Sequence, residues 1–174
     1  MSIATVRLFH HRWAVPVLAE LRRERGSRLV TLVNRLGVTR DSLRRTLNAL
    51  VEDRLVARNP GYGHPLRPEY VLTPAGATVA DVCDRLLSAL DGLEDVALRK
   101  WSMPVVQALS GGPLRFSELR TALTSISARA LTLALKDLQA AALVERTVTD
   151  DYPPATLYRL TDQAWPLARI VAAL

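Results

Sequence analysis

The sequence of 174 residues contains one cysteine, two lysines and three histidines. A single cysteine excludes an intramolecular disulfide framework and a zinc site built from several thiolates. The histidines, His10, His11 and His64, have no carboxylate or thiol at ligand spacing, so we expect no metal site. The fold must therefore be stabilised by apolar burial, and at this length folding removes roughly 70% of the unfolded chain's surface from water.

Long apolar runs are also missing. No uncharged stretch approaches the ~20 residues of a membrane span, and the opening segment MSIATVRLFHHRW lacks the apolar core of a signal peptide. We therefore expect a cytoplasmic protein with no membrane partner. The sequence has no phosphate-cradling glycine loop, no Gly-x-Ser-x-Gly and no His-Glu-x-x-His, so we expect neither an enzyme nor a cofactor.

The positive charge is nearly all arginine, and its excess lies in the first half. Residues 1–88 hold 14 arginines against 8 acidic residues, an excess of +6, whereas residues 89–174 hold 9 basic and 9 acidic residues. An excess of cations favours a polyanionic partner. A solvated arginine-rich surface, common in proteins from GC-rich bacterial genomes, is the alternative interpretation.

The chain repeats itself halfway along. HRWAVPVLAEL at 11–21 returns after 88 residues as RKWSMPVVQAL at 99–109. The match continues at the same offset in later segments and slips to 87 in between, where Arg28 pairs with Arg115. A match sustained at a fixed period indicates a duplication, with one residue lost in a loop.

Both units follow the same predicted order of three helices and two short strands around a turn-rich segment. In the first unit we expect helices at 12–24, 28–36 and 40–54, strands at 55–59 and 69–73, and a long helix at 74–95. In the second we expect helices near 98–110, 115–122 and 127–141, strands near 143–148 and 156–160, and a closing helix after Thr161. The predicted fold class is mainly α with small β-hairpin wings (α+β). The expected domains are two tandem winged helix-turn-helix units, residues 1–90 and 91–174, joined by the long helix.

Specific elements of the second unit are its Lys-Trp start, LRFSEL, ISARALTLALKDL, LVERTV, PP and YRLT. In this order they resemble the HxlR family of bacterial winged-helix transcription regulators. The first unit is similar more faintly, with RLVTLV where the family has an Arg-Phe-x-x-Leu element. The resemblance implies a repressor that dimerises, so that its two recognition helices enter neighbouring major grooves of DNA. Two units in one chain resemble a covalent form of that dimer, and both an intramolecular pseudo-dimer and a homodimer stay open.

The cysteine departs from this resemblance. Some family members sense oxidants or aldehydes through a cysteine before the Trp helix, and this chain has none there. Cys83 lies instead in DVCDRLL, on or near the apolar stripe of the linking helix. We therefore predict a buried and inert thiol rather than a sensor.

The third helix of the first unit offers the groups that DNA recognition needs. Leu43, Leu47 and Leu50 are predicted to face the core, and Thr39 to cap the helix. Its solvent side is then expected to hold Arg40, Asp41, Arg44, Arg45 and Asn48. Arginine can donate two hydrogen bonds to guanine, and asparagine can pair in the same way with adenine.

Three further candidate DNA contacts complete the site of the first unit: Thr39, Arg28 and Arg67. Arg28, at the start of the second helix, and Arg67, in the wing, are candidates for phosphate contacts. Asp41 could accept a hydrogen bond from cytosine, but favourable placement near the helix dipole is the more ordinary explanation.

The second unit is weaker by the same criteria. The outward positions of its third helix hold Ala128, Arg129, Thr132, Leu133 and Lys136, and its wing contains Asp150 and Asp151, which would repel phosphate. Its candidate DNA contacts are Arg115, Ser127, Arg129, Thr132 and Lys136.

We expect a nucleoid-associated protein that binds double-stranded DNA through two unequal half-sites. The alternative is a tandem winged-helix module for protein partners, and a small-molecule effector stays open because no residue set identifies one.

Overall fold

In a computed structural model of the chain, residues 3–59, 69–149, 152 and 154–174 are described. They form two compact units. One unit is His11–Ser88, and the other combines Ala89–Leu174 with the N-terminal helix α1, Ile3–His10. The helix α1 was assigned to the first domain by sequence order, yet in the structure it belongs to the compact unit of the second half.

The first unit is a group of helices with a small antiparallel sheet. Its elements are α2 (Ala14–Arg23), β1 (Ser27–Arg28), α3 (Leu29–Leu36), α4 (Arg40–Glu52), β2 (Val56–Asn59), β3 (Glu69–Leu72) and α5 (Pro74–Leu90), whose last two residues lie beyond Ser88. The strand order is β1-β3-β2. In register, Ser27 lies opposite Tyr70 and Val56 lies opposite Leu72.

The second unit has the same plan after a short connecting helix. Its elements are α6 (Glu94–Ala97), α7 (Ser102–Leu109), β4 (Leu114–Arg115), α8 (Phe116–Ala122), α9 (Ala128–Ala140), β5 (Val144–Val148), β6 (Thr156–Leu160), a 3-10 turn (Asp162–Ala164) and α10 (Trp165–Val171). The strand order is β4-β6-β5, which repeats that of the first unit. Leu114 lies opposite Tyr158, and Val144 lies opposite Leu160.

Equivalent local signals begin the third helix of each unit. The Thr39 hydroxyl accepts a hydrogen bond from the Ser42 amide at 3.3 Å, and the Ser127 hydroxyl accepts one from the Ala130 amide at 3.2 Å. Each bond satisfies a backbone donor that the first turn leaves without an intrahelical partner. Before α4, Gly37 ends α3 in the left-handed region at φ 62°, where glycine carries no Cβ penalty.

The end of the sheet is also held in the same way in both units. The Thr73 hydroxyl donates to the Arg54 carbonyl at 2.7 Å, and 88 residues later the Thr161 hydroxyl donates to the Ala142 carbonyl at 2.7 Å. Arg54 and Ala142 both adopt positive φ, 58° and 54°. Repetition of a rare backbone conformation together with its hydrogen bond supports the duplication inferred from sequence.

Leucines at the 88-residue offset form the cores of the two units. Leu43 and Leu131 are fully buried, and their successors along α4 and α9 are at most 2% exposed. Burial of each such side chain is worth about 1.5–3 kcal/mol relative to exposure. A Cβ on Gly76 would collide with the Leu55 backbone carbonyl, so the start of α5 packs directly on the chain that leads into β2.

The structure differs from the predicted elements in three places. The linking helix was predicted to reach residue 95, but α5 ends at Leu90 because Asp91 and Gly92 have φ of 41° and 85°, and the separate helix α6 follows. The strands β1 and β4 convert each predicted hairpin into a three-stranded sheet. The helix α1 was not predicted at all.

Cys83 lies in the buried side of α5 and is 1% exposed. Burial, aided by the nearby Asp84 carboxylate, raises the pKa of the thiol to about 12. Because the thiolate is the reactive form, burial disfavours reaction of this thiol in the folded protein.

Candidate nucleic-acid interface

The helix α4 separates a buried leucine face from an exposed polar face. Leu43, Leu47 and Leu50 are at most 2% exposed. The five residues that were predicted to face solvent are all exposed: Arg40, Asp41, Arg44, Arg45 and Asn48. The spacing of 3.6 residues per turn puts the two groups on opposite sides of one rod. The structure therefore brings the five polar side chains together on one solvent face.

Several other arginines of the first unit are neutralised by carboxylates. Arg22 pairs with Asp81, and Arg23 donates to the Asp84 carboxylate at 2.7 Å. Arg35 binds the Glu20 carboxylate at 2.5 Å and also pairs with Glu24. These hydrogen bonds, that to Glu24 foremost, raise the pKa of Arg35 above its ordinary value. Arginines paired in this way add little to the attraction of an anionic ligand.

The arginines of the α4 face have no carboxylate partner within the part of the chain that the structure describes. The Arg40 and Arg44 side chains make no hydrogen bond or ion pair there, and the Arg45 Nε donates only to the Asp41 backbone carbonyl, at 3.4 Å. At that length the bond is weak, and the remaining guanidinium N–H groups of Arg45 stay available. The exposed face of α4 thus carries positive charge and hydrogen-bond donors that no described residue neutralises or fully satisfies.

The corresponding face of α9 has a different chemistry. Arg129, Thr132 and Lys136 are exposed, and neither Arg129 nor Lys136 has an ion-pair partner among the described residues. The Thr132 hydroxyl donates to the Ala128 carbonyl at 2.9 Å. Leu133, at the position of Arg45, is 57% exposed. This face therefore combines two cations with an apolar centre.

Arg28 and Arg115 occupy the same position, immediately before the second helix of each unit, and both are exposed. The Arg115 backbone amide donates to the Glu118 carboxylate at 2.6 Å, which anchors the start of α8. The Arg28 side chain has no carboxylate partner among the described residues. Neither guanidinium group has an ion-pair partner among the described residues, so both are available to a phosphate.

Some predicted residues lie outside the described residues: Arg67 and His64 of the first wing, and Asp150 and Asp151 of the second. The sequence reasoning did not single out Arg120, an exposed cation beside the candidate residues of the second unit. Arg120, on α8, lines a shallow groove with Ser117, Thr121, Thr124 and Ile126. The 87-residue offset pairs Arg120 with Val33, so the repeat offered no signal for it.

The described residues contain neither a cluster of metal ligands nor a membrane-spanning helix. Within residues 3–59, 69–149, 152 and 154–174, no three His, Cys, Asp or Glu side chains cluster as a metal ion would require. Among the same residues, no helix has both the length and the apolar character needed to cross a bilayer.

Three helices, with the second and third joined by a tight turn and followed by a small antiparallel sheet, define a winged helix-turn-helix protein. A family model described as "HxlR-like helix-turn-helix" matches residues 96–174, and one described as "HVO_A0261 N-terminal domain" matches residues 4–95. The chain belongs to the HxlR-like helix-turn-helix family through its second half and to the HVO_A0261 N-terminal domain family through its first.

Similar proteins carry helix-turn-helix names. The uncharacterised HTH-type transcriptional regulator YvaP of Bacillus subtilis (strain 168) is 34% identical over 95 residues, 55% of this chain and 84% of YvaP. The HTH-type transcriptional regulator YodB of the same strain is 29% identical over 89 residues, 51% of this chain and 76% of YodB. A solved structure of the redox regulator HypR in its oxidised form is 35% identical, with a TM-score of 0.45, and covers 48% of this chain and 86% of that chain.

These matches correct one prediction. The sequence predicted two tandem copies of the HxlR-type unit, but the HxlR-like model matches the second half alone. The first half matches a different family model, although its order of helices and strands is the same. The two halves share the packing of their leucines. They differ in the outward side chains of the third helix, and the first half has RLVTLV where the second has RFSELR. Sequence-based family models respond to such differences.

Proposed function

We propose that this protein is a sequence-specific transcriptional regulator of double-stranded DNA, and that it acts as a repressor. In this proposal α4 and α9 each enter a major groove, with the wings on the flanking backbone. The observation that carries the proposal is the exposed face of α4, where Arg40, Arg44 and Arg45 lack carboxylate partners in the described structure. The helix-turn-helix names of the similar regulators support it.

The chemistry of the α4 face suits base recognition. A guanidinium group can donate to O6 and N7 of guanine, and the Asn48 amide can pair with N6 and N7 of adenine. Each such pair discriminates against a wrong base by about 1–3 kcal/mol. Arg28 and Arg40, at the starts of α3 and α4, are suited to phosphates, which fix the register without reading sequence.

We propose further that the two winged helix-turn-helix units act as an intramolecular pseudo-dimer on unequal half-sites. All five outward positions of α4 differ from those of α9. Two different reading faces select two different base sequences, so the bound site is not a palindrome. By this proposal the protein works in the cytoplasm, on the nucleoid.

The test is selection of bound duplexes by the full chain, followed by titration of the selected site with Arg44→Ala and Arg45→Ala. Each substitution should weaken binding by about 5- to 150-fold and relax preference at one position, which corresponds to the loss of one paired base contact. Arg23→Ala is the matched control because it removes the same charge from an arginine that already pairs with Asp84. Full selective affinity in the α4 variants would remove these residues from the interface.

The exposure of Leu133 favours a second candidate, a tandem winged-helix module that binds a protein partner with little specific DNA binding. A gel shift with the DNA upstream of the chain's own gene separates the two candidates. Under the regulator proposal we expect a discrete, competitor-resistant complex, and a promoter reporter should be repressed. Weak binding that any competitor DNA removes would favour the protein module.

A further inference from the structure

The outermost line of α9 is formed by residues at positions i, i+4 and i+7, which share one helix face. These residues are Arg129, Leu133 and Lys136. The equivalent line of α4 holds Asp41, Arg45 and Asn48. All six residues are exposed. The central position is therefore a guanidinium group in the first unit and an isobutyl group in the second.

The centre of the α9 line presents methyl groups rather than hydrogen-bond donors. Leu133 is 57% exposed although it is the one large apolar side chain in that line. Next to it, the Thr132 hydroxyl gives its only proton to the Ala128 carbonyl at 2.9 Å, which leaves its methyl group and an acceptor lone pair for a ligand. A base edge facing these two residues meets mainly methyl groups and no hydrogen-bond donor.

We propose that Leu133, assisted by the Thr132 methyl group, is a specificity-determining residue that contacts the C5-methyl group of a thymine. This inference rests on the proposed function, since it assumes that α9 enters a major groove. The thymine methyl is the apolar group on the major-groove edge of the base pairs, and apolar side chains recognise it by contact. Arg45 at the equivalent position favours guanine, so the two half-sites differ at this base.

The surroundings of Leu133 favour DNA over an apolar protein surface. Arg129 and Lys136 lie one turn to either side, are exposed, and have no ion-pair partner among the described residues. Docking Leu133 into an apolar protein pocket would desolvate two nearby cations without compensation. A major groove instead places phosphates on both sides of the base edges, where such cations are neutralised.

The experiment replaces single thymines of the selected duplex by deoxyuridine, which removes only the C5-methyl group. We expect one or two thymines in the half-site of the second unit to show about a fourfold loss of affinity, the factor that corresponds to ~0.8 kcal/mol for one buried carbon. In Leu133→Ala the same replacement should have no effect. In Leu133→Arg, selection should shift from thymine to guanine at that position, as in the first unit.

The controls separate this inference from the proposed function. Gln139→Ala, at an exposed position of α9 whose side chain bonds its own helix, should retain the wild-type response to deoxyuridine. Thermal unfolding of Leu133→Ala and Gln139→Ala reports whether these variants fold. Alanine at such exposed positions should alter the free energy of unfolding by no more than ~0.5 kcal/mol. Selective DNA binding with an unchanged deoxyuridine response in Leu133→Ala overturns only the role of Leu133. Absence of selective binding by the wild-type chain overturns both proposals.

Discussion

The salt dependence of DNA binding tests the electrostatic reasoning most directly. Each phosphate contact releases condensed counterions, and log affinity falls against log salt with a slope of about 0.9 per contact. Four cations of the candidate interface in the first unit are exposed and lack a carboxylate partner in the described structure: Arg28, Arg40, Arg44 and Arg45. If all four approach phosphates, the slope from this unit is about 3.6, and affinity falls about 150-fold between about 50 and about 200 mM salt.

The decisive perturbation is the double variant Arg28→Ala/Arg40→Ala, which removes the two cations assigned to phosphates alone. Its slope should fall by about 1.8 relative to the wild type, so that its loss of affinity over the same salt range is about 12-fold smaller. Fluorescence anisotropy of the labelled selected duplex, titrated at several salt concentrations, measures both slopes. Selectivity between the selected duplex and a scrambled one should be retained, because phosphate contacts carry no sequence information.

Arg23→Ala separates local contact from overall charge. It changes the net charge by the same single unit as each of the other substitutions, but Arg23 is 2.7 Å from the Asp84 carboxylate and lies on α2. We expect its slope to equal that of the wild type. A flat slope for the wild-type chain, or an equal fall in slope for Arg23→Ala, would refute the assignment of Arg28 and Arg40 as phosphate contacts.

Three further predictions concern stability. Gly76→Ala should lower the free energy of unfolding by about 3 kcal/mol in chemical denaturation, because its Cβ would meet a backbone carbonyl. Gly111→Ala is the control, since its Cβ would point into open space, and it should lower that free energy by no more than ~0.5 kcal/mol. Equal losses would contradict the close packing at Gly76. Phe9, in α1, is 1% exposed, so Phe9→Ala leaves a cavity and should lower the free energy of unfolding by about 3–5 kcal/mol. Hydrogen exchange should accelerate in α7 and not in α4. The reverse pattern would disprove the assignment of α1 to the second unit. The Cys83 thiol ionises near pH 9 when unfolded and near pH 12 when folded, so the unfolded state loses its proton first and stability should fall by about 1.4 kcal/mol per pH unit across that window. That slope should vanish in Cys83→Ala, and its persistence would show that another group is responsible.

Local sequence patterns determined much of the fold because their physical causes are local. Apolar residues at 3.6-residue spacing placed α4 and α9, and a hydroxyl residue before each helix supplied the cap that the structure shows at Thr39 and Ser127. The exposed face of α4 followed from the same spacing. Short elements escaped this reasoning, since the two-residue strands β1 and β4 contain too few positions to display any period.

Tertiary structure alone decided which charges are available and which elements pack together. From sequence, Arg23 and Arg40 are equivalent, yet one is paired with Asp84, 61 residues away, and the other has no carboxylate partner in the described structure. Likewise, α1 is adjacent in sequence to the first unit but packs with the second. The reason is physical: an ion pair or a packing contact depends on distances between segments remote in the chain, and periodicity reports only the neighbours within a turn or two.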